Sequence, residues 1–314
     1  MGKCGLMGRG ARKPQGFRDV DGILLLDKPT GISSNRALQN TRFLFKANKA
    51  GHTGSLDPLA SGVLPICFGE ATKFSNYLLD ASKSYRALCQ LGKTTSTGDA
   101  EGDITSDVPV QVDARDVQRV LTRLTGRVEQ IPPMYSAVKH QGQRLYKLAR
   151  KGKVVDRSPR QVEIYSLEMI ALSDNRLEID VHCSKGTYIR TLAEDIGKAL
   201  GCGAFLARLE RTGVHPFWEK DCYSPDQLCT ISEQGMDSLD QCLLPVNSAL
   251  VDLPEFILDS LAVSNLKQGQ AVQINRTPLS GLLNLVSENG QFIGIGEVDS
   301  DGKLSPKRLM NTAR

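Results

Sequence analysis

The run Gly51-His52-Thr53-Gly54-Ser55-Leu56-Asp57-Pro58-Leu59-Ala60-Ser61-Gly62 decides how the rest of the chain is read. Three glycines and a proline in twelve residues argue against a long helix or a central strand, so a shaped loop is expected. Asp57 is its only carboxylate, set between Leu56 and Pro58, and the proline restricts it to extended backbone. Apolar walls on both sides would dehydrate it. His52 precedes it by five residues on the same loop. The plainer alternative is a turn started by Asp-Pro and closed by Gly-His-Thr-Gly.

Outward from that loop, 314 residues suffice for one large core and a small second domain. No run of eighteen apolar residues occurs, so no membrane span is expected. The start, Met1-Gly2-Lys3-Cys4-Gly5-Leu6, has no apolar signal region, and the expected location is the cytoplasm. Eight cysteines without a C-x-x-C pair fit free thiols in a reducing compartment and argue against zinc. The net charge is only +4, but residues 1–160 hold 26 Lys+Arg against 14 Asp+Glu, and residues 161–314 hold 13 against 21. A basic half on a near-neutral chain suggests a surface that faces a polyanion.

Residues 1–18 carry Lys3, Arg9, Arg12, Lys13 and Arg18 and no acid, which predicts a flexible basic tail. Ile23 to Leu26 should be a buried strand. Ser33 or Ser34 should cap a helix through about Phe45, with Leu38, Thr41 and Phe45 on one side. Arg86 to Leu91 reads as another strand. Gly92-Lys93-Thr94 is not a phosphate-binding loop, because position 87, where a glycine is needed, is Ala. Val117, Val120, Leu121 and Leu124 predict a helix over 113–126. Between Met134 and Arg160 lie eight basic residues (Lys139, Arg144, Lys147, Arg150, Lys151, Lys153, Arg157 and Arg160) and one acid, Asp156. A solvated helix face would account for the charge alone. Tyr135, His140, Gln141, Gln143 and Tyr146 add stacking and hydrogen-bonding groups, which suits nucleic acid better. Leu177 to Cys183 alternates strictly as a strand, and Ser184-Lys185-Gly186-Thr187 turns it into a helix with Ile189, Leu192, Ala193, Ile196 and Leu200 in one stripe. Tyr188 and Arg190 then stand at a strand-to-helix junction. From about Leu253 short strands with glycine turns predict a small β domain.

The run from Gly51 to Gly62, continued by Val63-Leu64-Pro65-Ile66-Cys67-Phe68-Gly69-Glu70-Ala71-Thr72-Lys73-Phe74, resembles the catalytic motif of the TruB family of tRNA pseudouridine synthases. Four further motifs follow the family order: Gly22-Ile23-Leu24-Leu25-Leu26-Asp27-Lys28-Pro29, Lys83-Ser84-Tyr85-Arg86, Ser184-Lys185-Gly186-Thr187-Tyr188-Ile189-Arg190-Thr191 and Arg208-Leu209-Glu210-Arg211-Thr212-Gly213. The resemblance covers about residues 20–310.

It implies an α/β fold of the α+β type. A mixed, largely antiparallel sheet with flanking helices would surround an RNA cleft, and a small PUA-like β domain would follow. The domains would be a tail over 1–18, a catalytic domain over 19–250 with an RNA-binding thumb at about 134–160, and the RNA-binding domain over 251–314. It further implies isomerisation of the T-loop uridine at conventional position 55 of tRNA, without metal or small-molecule cofactor, by a monomer. Asp57 matches the catalytic aspartate, Arg190 the arginine that pairs with it, and Tyr85 the tyrosine that stacks on the target base. Tyr188 and Leu209 would complete the uracil pocket, His52 would wedge into the RNA, and Lys73 would contact a phosphate or position a loop. Two rivals stay open: a guide-RNA-dependent relative, whose members lack the basic thumb, and an RNA-folding chaperone without chemistry.

Overall fold

The computed structural model describes residues 16–136, 138–274 and 280–311. The first fifteen residues of the expected tail lie outside this range. Arg18 does not behave as tail: its guanidinium donates to both carboxylate oxygens of Asp240 at 2.5 and 2.6 Å, and its Nε to the Phe45 carbonyl. A side chain with three buried or half-buried acceptors is anchored, so the tail expectation is corrected at its C-terminal end.

The chain enters through strand β1 (Gly22–Lys28), helix α1 (Ser34–Leu44), strand β2 (Ala50–His52) and strand β3 (Ser61–Phe68). The Ser33 hydroxyl accepts from the Arg36 amide and caps α1. Helix α2 (Ser75–Asp80) and strand β4 (Lys83–Leu91) follow, then a hairpin of β5 (Lys93–Thr95) and β6 (Ile104–Asp107). Helix α3 (Ala114–Leu124) begins with a capping box between Asp113 and Asp116 and leads to β7 (Gly126–Gln130). The basic segment contains β8 (Lys139–His140), β9 (Gln143–Arg144) and the short helix α4 (Leu145–Ala149). Strands β10 (Arg160–Ser173) and β11 (Arg176–Cys183), helix α5 (Ile189–Ala199) and strands β12 (Ala204–Val214) and β13 (Phe217–Trp218) complete the main sheet.

That sheet runs β1-β3-β12-β4-β11-β10-β7, with β2 added to β3 and β13 to β12. Its one parallel pair is β3 with β12 and the other pairings are antiparallel, so the mixed, largely antiparallel expectation holds. Helices α3 and α5 cover one face through Val117, Val120, Leu121, Leu192 and Ile196, packed on Ile179, Val181 and Leu209. Helix α1 covers β1 and β3 through Ala37, Leu38 and Phe45.

The expectation that Gly51 to Gly62 is entirely loop needs correction at both ends. His52 ends β2, and Ser61 and Gly62 begin β3 in the middle of the sheet. Gly62 is tolerated because a side chain there is impossible. Its φ is +97°, and an added Cβ would lie 2.3 Å from the Arg211 carbonyl oxygen. Along one edge of β3, Ser61 and Gly62 pair with β12, whereas Ile66 to Phe68 pair with β2. Two strands thus part from the same edge, and the loop of residues 53–60 rises between them.

The C-terminal unit contains β14 (Glu255–Leu258), helix α8 and four more strands, in the order β14-β16-β17-β18-β15; helices α6 (Pro225–Ser232) and α7 (Met236–Asp240) precede it, and α8 spans Ser260–Lys267. The strands β15 (Val272–Gln273), β16 (Gly281–Ser287) and β17 (Phe292–Val298) were legible as glycine-punctuated runs, while β14, α8 and β18 (Lys303–Leu309) were not. This unit shares a core with the main sheet: Phe292 and Ile295 pack with Phe74, Leu78, Phe217 and Leu250.

Candidate active site

The loop of residues 53–60 is held at almost every residue. The Thr53 amide donates to the Pro65 carbonyl, the Leu56 amide to the Ser34 hydroxyl at 2.7 Å, and that hydroxyl to the Leu56 carbonyl at 3.0 Å. The Gly31 amide donates to the Pro58 carbonyl at 2.7 Å, and the Ala60 amide to the Asp57 carbonyl at 3.0 Å. Two buried cations supply the rest. Lys28, with 0 % exposure, donates to the Ala60 carbonyl at 2.6 Å, and Arg211, with 1 %, reaches the Gly54 carbonyl at 3.2 Å and the Val63 carbonyl at 2.7 Å. Burial pushes Lys28 down to about 8, with Asp57 opposing the shift and Arg211 adding to it.

Asp57 therefore projects from a fixed frame. Its side chain is 50 % exposed, so the apolar walls expected from Leu56 and Pro58 do not enclose it; Leu56 itself turns inward. What holds the carboxylate is Arg190, whose Nη2 lies 2.5 Å from Asp57 Oδ2. Arg190 is buried in the first turn of α5, and the strand-to-helix junction is braced by Gln130. The Gln130 side chain accepts from the Tyr188 amide at 2.9 Å and donates to the Tyr188 carbonyl at 3.2 Å. Arg190 also reaches Asp99 Oδ2 at 3.1 Å, the Thr97 carbonyl and the Tyr135 carbonyl. One cation thus serves an exposed acid, a buried acid and the root of the basic segment.

Tyr85 lies on β4 as the register partner of Arg211 on β12. Burial raises the Tyr85 phenol above its ordinary value, partly offset by the Arg211 charge. Leu209 packs in the same apolar cluster as Leu56, Ala60 and Tyr85. Tyr188 is half-buried at the head of α5, its phenol also raised by burial. His52 is half-buried, its Nδ1 has no hydrogen-bond partner among the described residues, and burial with Arg211 nearby lowers it below its ordinary value. That favours the neutral imidazole. Lys73 sits elsewhere: its Nζ contacts Glu70 Oε2 at 2.5 Å and the Leu309 carbonyl at 3.1 Å, which ties the C-terminal unit to the sheet.

The basic segment is a small hairpin and a single helical turn rather than a long helix face. Leu145 is its buried pin, and Arg144, Lys147, Arg150, Lys151 and Lys153 are exposed. Arg150 stacks over Tyr146 at 5.7 Å, and none of the five pairs with a carboxylate among the described residues. The side chain of Lys139 lies outside the described ones.

Residues 42–189 match the family model "TruB family pseudouridylate synthase (N terminal domain)", residues 190–251 "tRNA pseudouridylate synthase B C-terminal domain", and residues 254–310 "Pseudouridine synthase II TruB, C-terminal". The chain belongs to the TruB family. Among curated TruB relatives, the tRNA pseudouridine synthase B of Ectopseudomonas mendocina (strain ymp) is 52 % identical over 296 residues, covering 94 % of this chain and 97 % of that one. That of Nitrosococcus oceani is 50 % identical over 300 residues, covering 95 % and 97 %. Among solved structures, a Cbf5-Nop10-Gar1 complex includes a chain with TM-score 0.70 and 25 % identity, covering 94 % of this chain and 86 % of that one. An H/ACA ribonucleoprotein structure gives TM-score 0.72 at 23 % identity, which bears on the fold alone.

Reading the TruB motifs alone missed Lys28, Asp99, Gln130 and Arg211 as parts of the site. Lys28 and Arg211 stood inside quoted motifs, and a charged residue at a core-facing strand position was the available signal. Because Arg190 has two acids, Asp57→Asn should leave the fold intact, with a melting temperature within a few degrees of the wild type. Arg190→Met strands buried Asp99 and should lose on the order of 3 kcal/mol. Paired melting curves check this; a large loss in Asp57→Asn alone contradicts the sharing.

Proposed function

We propose that the protein converts the T-loop uridine at conventional position 55 of tRNA to pseudouridine, with Asp57 as nucleophile and the target base flipped out of the RNA. Pseudouridine synthases are isomerases: the bond from ribose C1′ to uracil N1 breaks and C1′ rejoins at C5. The overall change gains and loses no atoms. The observation that carries the reading is a carboxylate half open to solvent, fixed by Arg190, with Tyr85 and Tyr188 nearby. An aromatic ring is what an extruded base needs to stack on, and extrusion costs a few kcal/mol that such stacking helps offset. His52, neutral and unpartnered at Nδ1, suits a wedge in the RNA rather than a proton carrier. We read the exposed cations of residues 134–160 as contacts to the T-arm backbone, the C-terminal unit as a further RNA-binding domain, and the cytoplasm as the place of action.

The exposed thumb cations favour this over a guide-RNA-dependent role, because they give the protein its own means of holding RNA. A chaperone activity would be an addition, since binding alone has no use for a carboxylate shared with a buried arginine.

Joining C1′ to C5 displaces the C5 hydrogen, so purified protein with a T-arm stem-loop carrying 5-tritiated uridine should release tritium to water. Asp57→Asn should release none while binding tRNA within several-fold of the wild type. Folded wild-type protein that releases none would sink the enzymatic reading. The thumb has its own test. Lys147→Ala with Arg150→Ala should flatten the slope of log K against log salt by about one to two units. An unchanged slope assigns those cations to solubility.

A further inference from the structure

Strand β7 lies at the edge of the main sheet, and of its five residues only the last, Gln130, is buried, at 2 % exposure. A buried polar side chain needs partners, and Gln130 finds them far from its own strand. Its carboxamide oxygen accepts from the Tyr188 amide at 2.9 Å, and its nitrogen donates to the Tyr188 carbonyl at 3.2 Å. Tyr188 stands between β11 and α5 in extended backbone (φ −99°, ψ 107°) and gives the helix no side-chain cap. The amide and carbonyl of one extended residue point the same way, so the carboxamide does for Tyr188 what a residue on a neighbouring strand would. Among uncharged side chains of this length only Gln offers a donor and an acceptor in one plane. Gln130 is also the register partner of Arg160, so residues 131–159 leave and rejoin the sheet at this one pair. The departing neck is stiff. Pro132 and Pro133 restrict its backbone, the Arg157 guanidinium holds the Pro132 carbonyl at 3.0 Å, and Arg190 Nη2 holds the Tyr135 carbonyl at 3.2 Å. Residues 130–135 and 188–190 are therefore tied by three hydrogen bonds, two of them from the Gln130 side chain.

We infer that Gln130 is a positioning residue: its carboxamide ties the neck of the basic segment to the Tyr188 backbone and so sets where the Tyr188 ring meets the target base. This rests on the isomerase reading above, in which Tyr188 lines the uracil pocket and residues 134–160 hold RNA. RNA that draws the thumb inward pulls on residues 130–135, and the two bonds to Tyr188 carry that movement to the pocket. Gln130 acts through Tyr188 and has no charge for RNA to pair with. Loss of its carboxamide therefore shows in the chemical step rather than in affinity.

The test is run in single turnover, after tritium release by the wild type has been established, so that a failure counts against Gln130 alone. Gln130→Met keeps the length of the side chain and loses both bonds. It should slow the reaction at saturating stem-loop by about 100-fold, with the Kd for the stem-loop within several-fold of the wild type. In a Tyr188→Leu background the same change should add less than about 3-fold, because the ring it places is gone. Gln130→Glu separates hydrogen bonding from bulk. An ionised carboxylate can only accept, so it repels the Tyr188 carbonyl, whereas a protonated carboxyl again has one donor and one acceptor. Burial raises the pKa of such a carboxyl. Measured against the wild type at each pH, Gln130→Glu should be slow at about pH 9 and recover as the pH falls to about 6. Losses additive with Tyr188→Leu, a Gln130→Met rate restored at saturating RNA, or a Gln130→Glu deficit that does not change with pH would reduce Gln130 to a structural bond and overturn the proposal. Should Gln130→Met fail to fold, which its melting curve shows, the pH profile of Gln130→Glu decides alone.

Discussion

Two buried cations, Lys28 and Arg211, which pair with no carboxylate among the described residues, shape this candidate site. Lys28, Gly62, Arg211, Tyr85 and Val181 occupy one row across five neighbouring strands. Gly62, with no side chain, leaves the two cations facing the same space. Each charge must be solvated somehow, and the acceptors at hand are the carbonyls of Ala60, Pro29, Gly54 and Val63. Unpaired buried charges cost several kcal/mol each, so any loop conformation that withdrew those carbonyls would be heavily penalised. The loop is thereby driven into one shape, and Asp57 is carried at its apex. An ordinary Gly/Pro loop has no such constraint.

Arg190 solves a different problem. A nucleophilic carboxylate has to remain accessible, yet its orientation must be set to within a fraction of an ångström for reaction. Sharing Arg190 with buried Asp99 allows both: the guanidinium is fixed from behind by a buried acid and presents its free edge to Asp57. The same guanidinium holds the Tyr135 carbonyl at the root of the thumb. In the proposed function, RNA contacts on Arg144, Lys147 or Arg150 are mechanically connected to the guanidinium that holds Asp57.

Much of this was legible in the sequence, and the limits have physical causes. Alternation exposed β11, the apolar run exposed β1, helical periodicity exposed α3 and α5, and a serine cap with one apolar side exposed α1, because each is a local pattern. Asp57 stood out as the loop's only carboxylate and Tyr188 and Arg190 as junction residues, but Tyr85, and the role of each of the four, came only from motif resemblance. Gly62 misled, since a glycine beside a proline-bearing run signals a loop, whereas here it permits close approach of β12 to β3. A charge at a core-facing strand position marks Lys28 and Arg211 singly, but only register sets these two, far apart in the chain, beside one glycine. Asp99 has no periodic context at all. Lys73 stood in the catalytic motif, but the 3₁₀ turn of Gly69–Lys73 carries it toward Leu309 and the C-terminal unit.

The central claim is that the nucleophile loop is preset and that RNA closes around it. Crystal structures of the free protein and of its complex with a T-arm stem-loop bearing 5-fluorouridine at the reacting position test it most directly, because fluorine cannot leave C5 as a proton does. The account predicts that residues 53–60 superimpose in the two structures, with the Lys28 and Arg211 bonds to Ala60 and Gly54 intact and Asp57 against the ribose of a flipped base, while residues 134–160 shift onto the RNA. A loop rebuilt on binding, with those bonds broken, would contradict it.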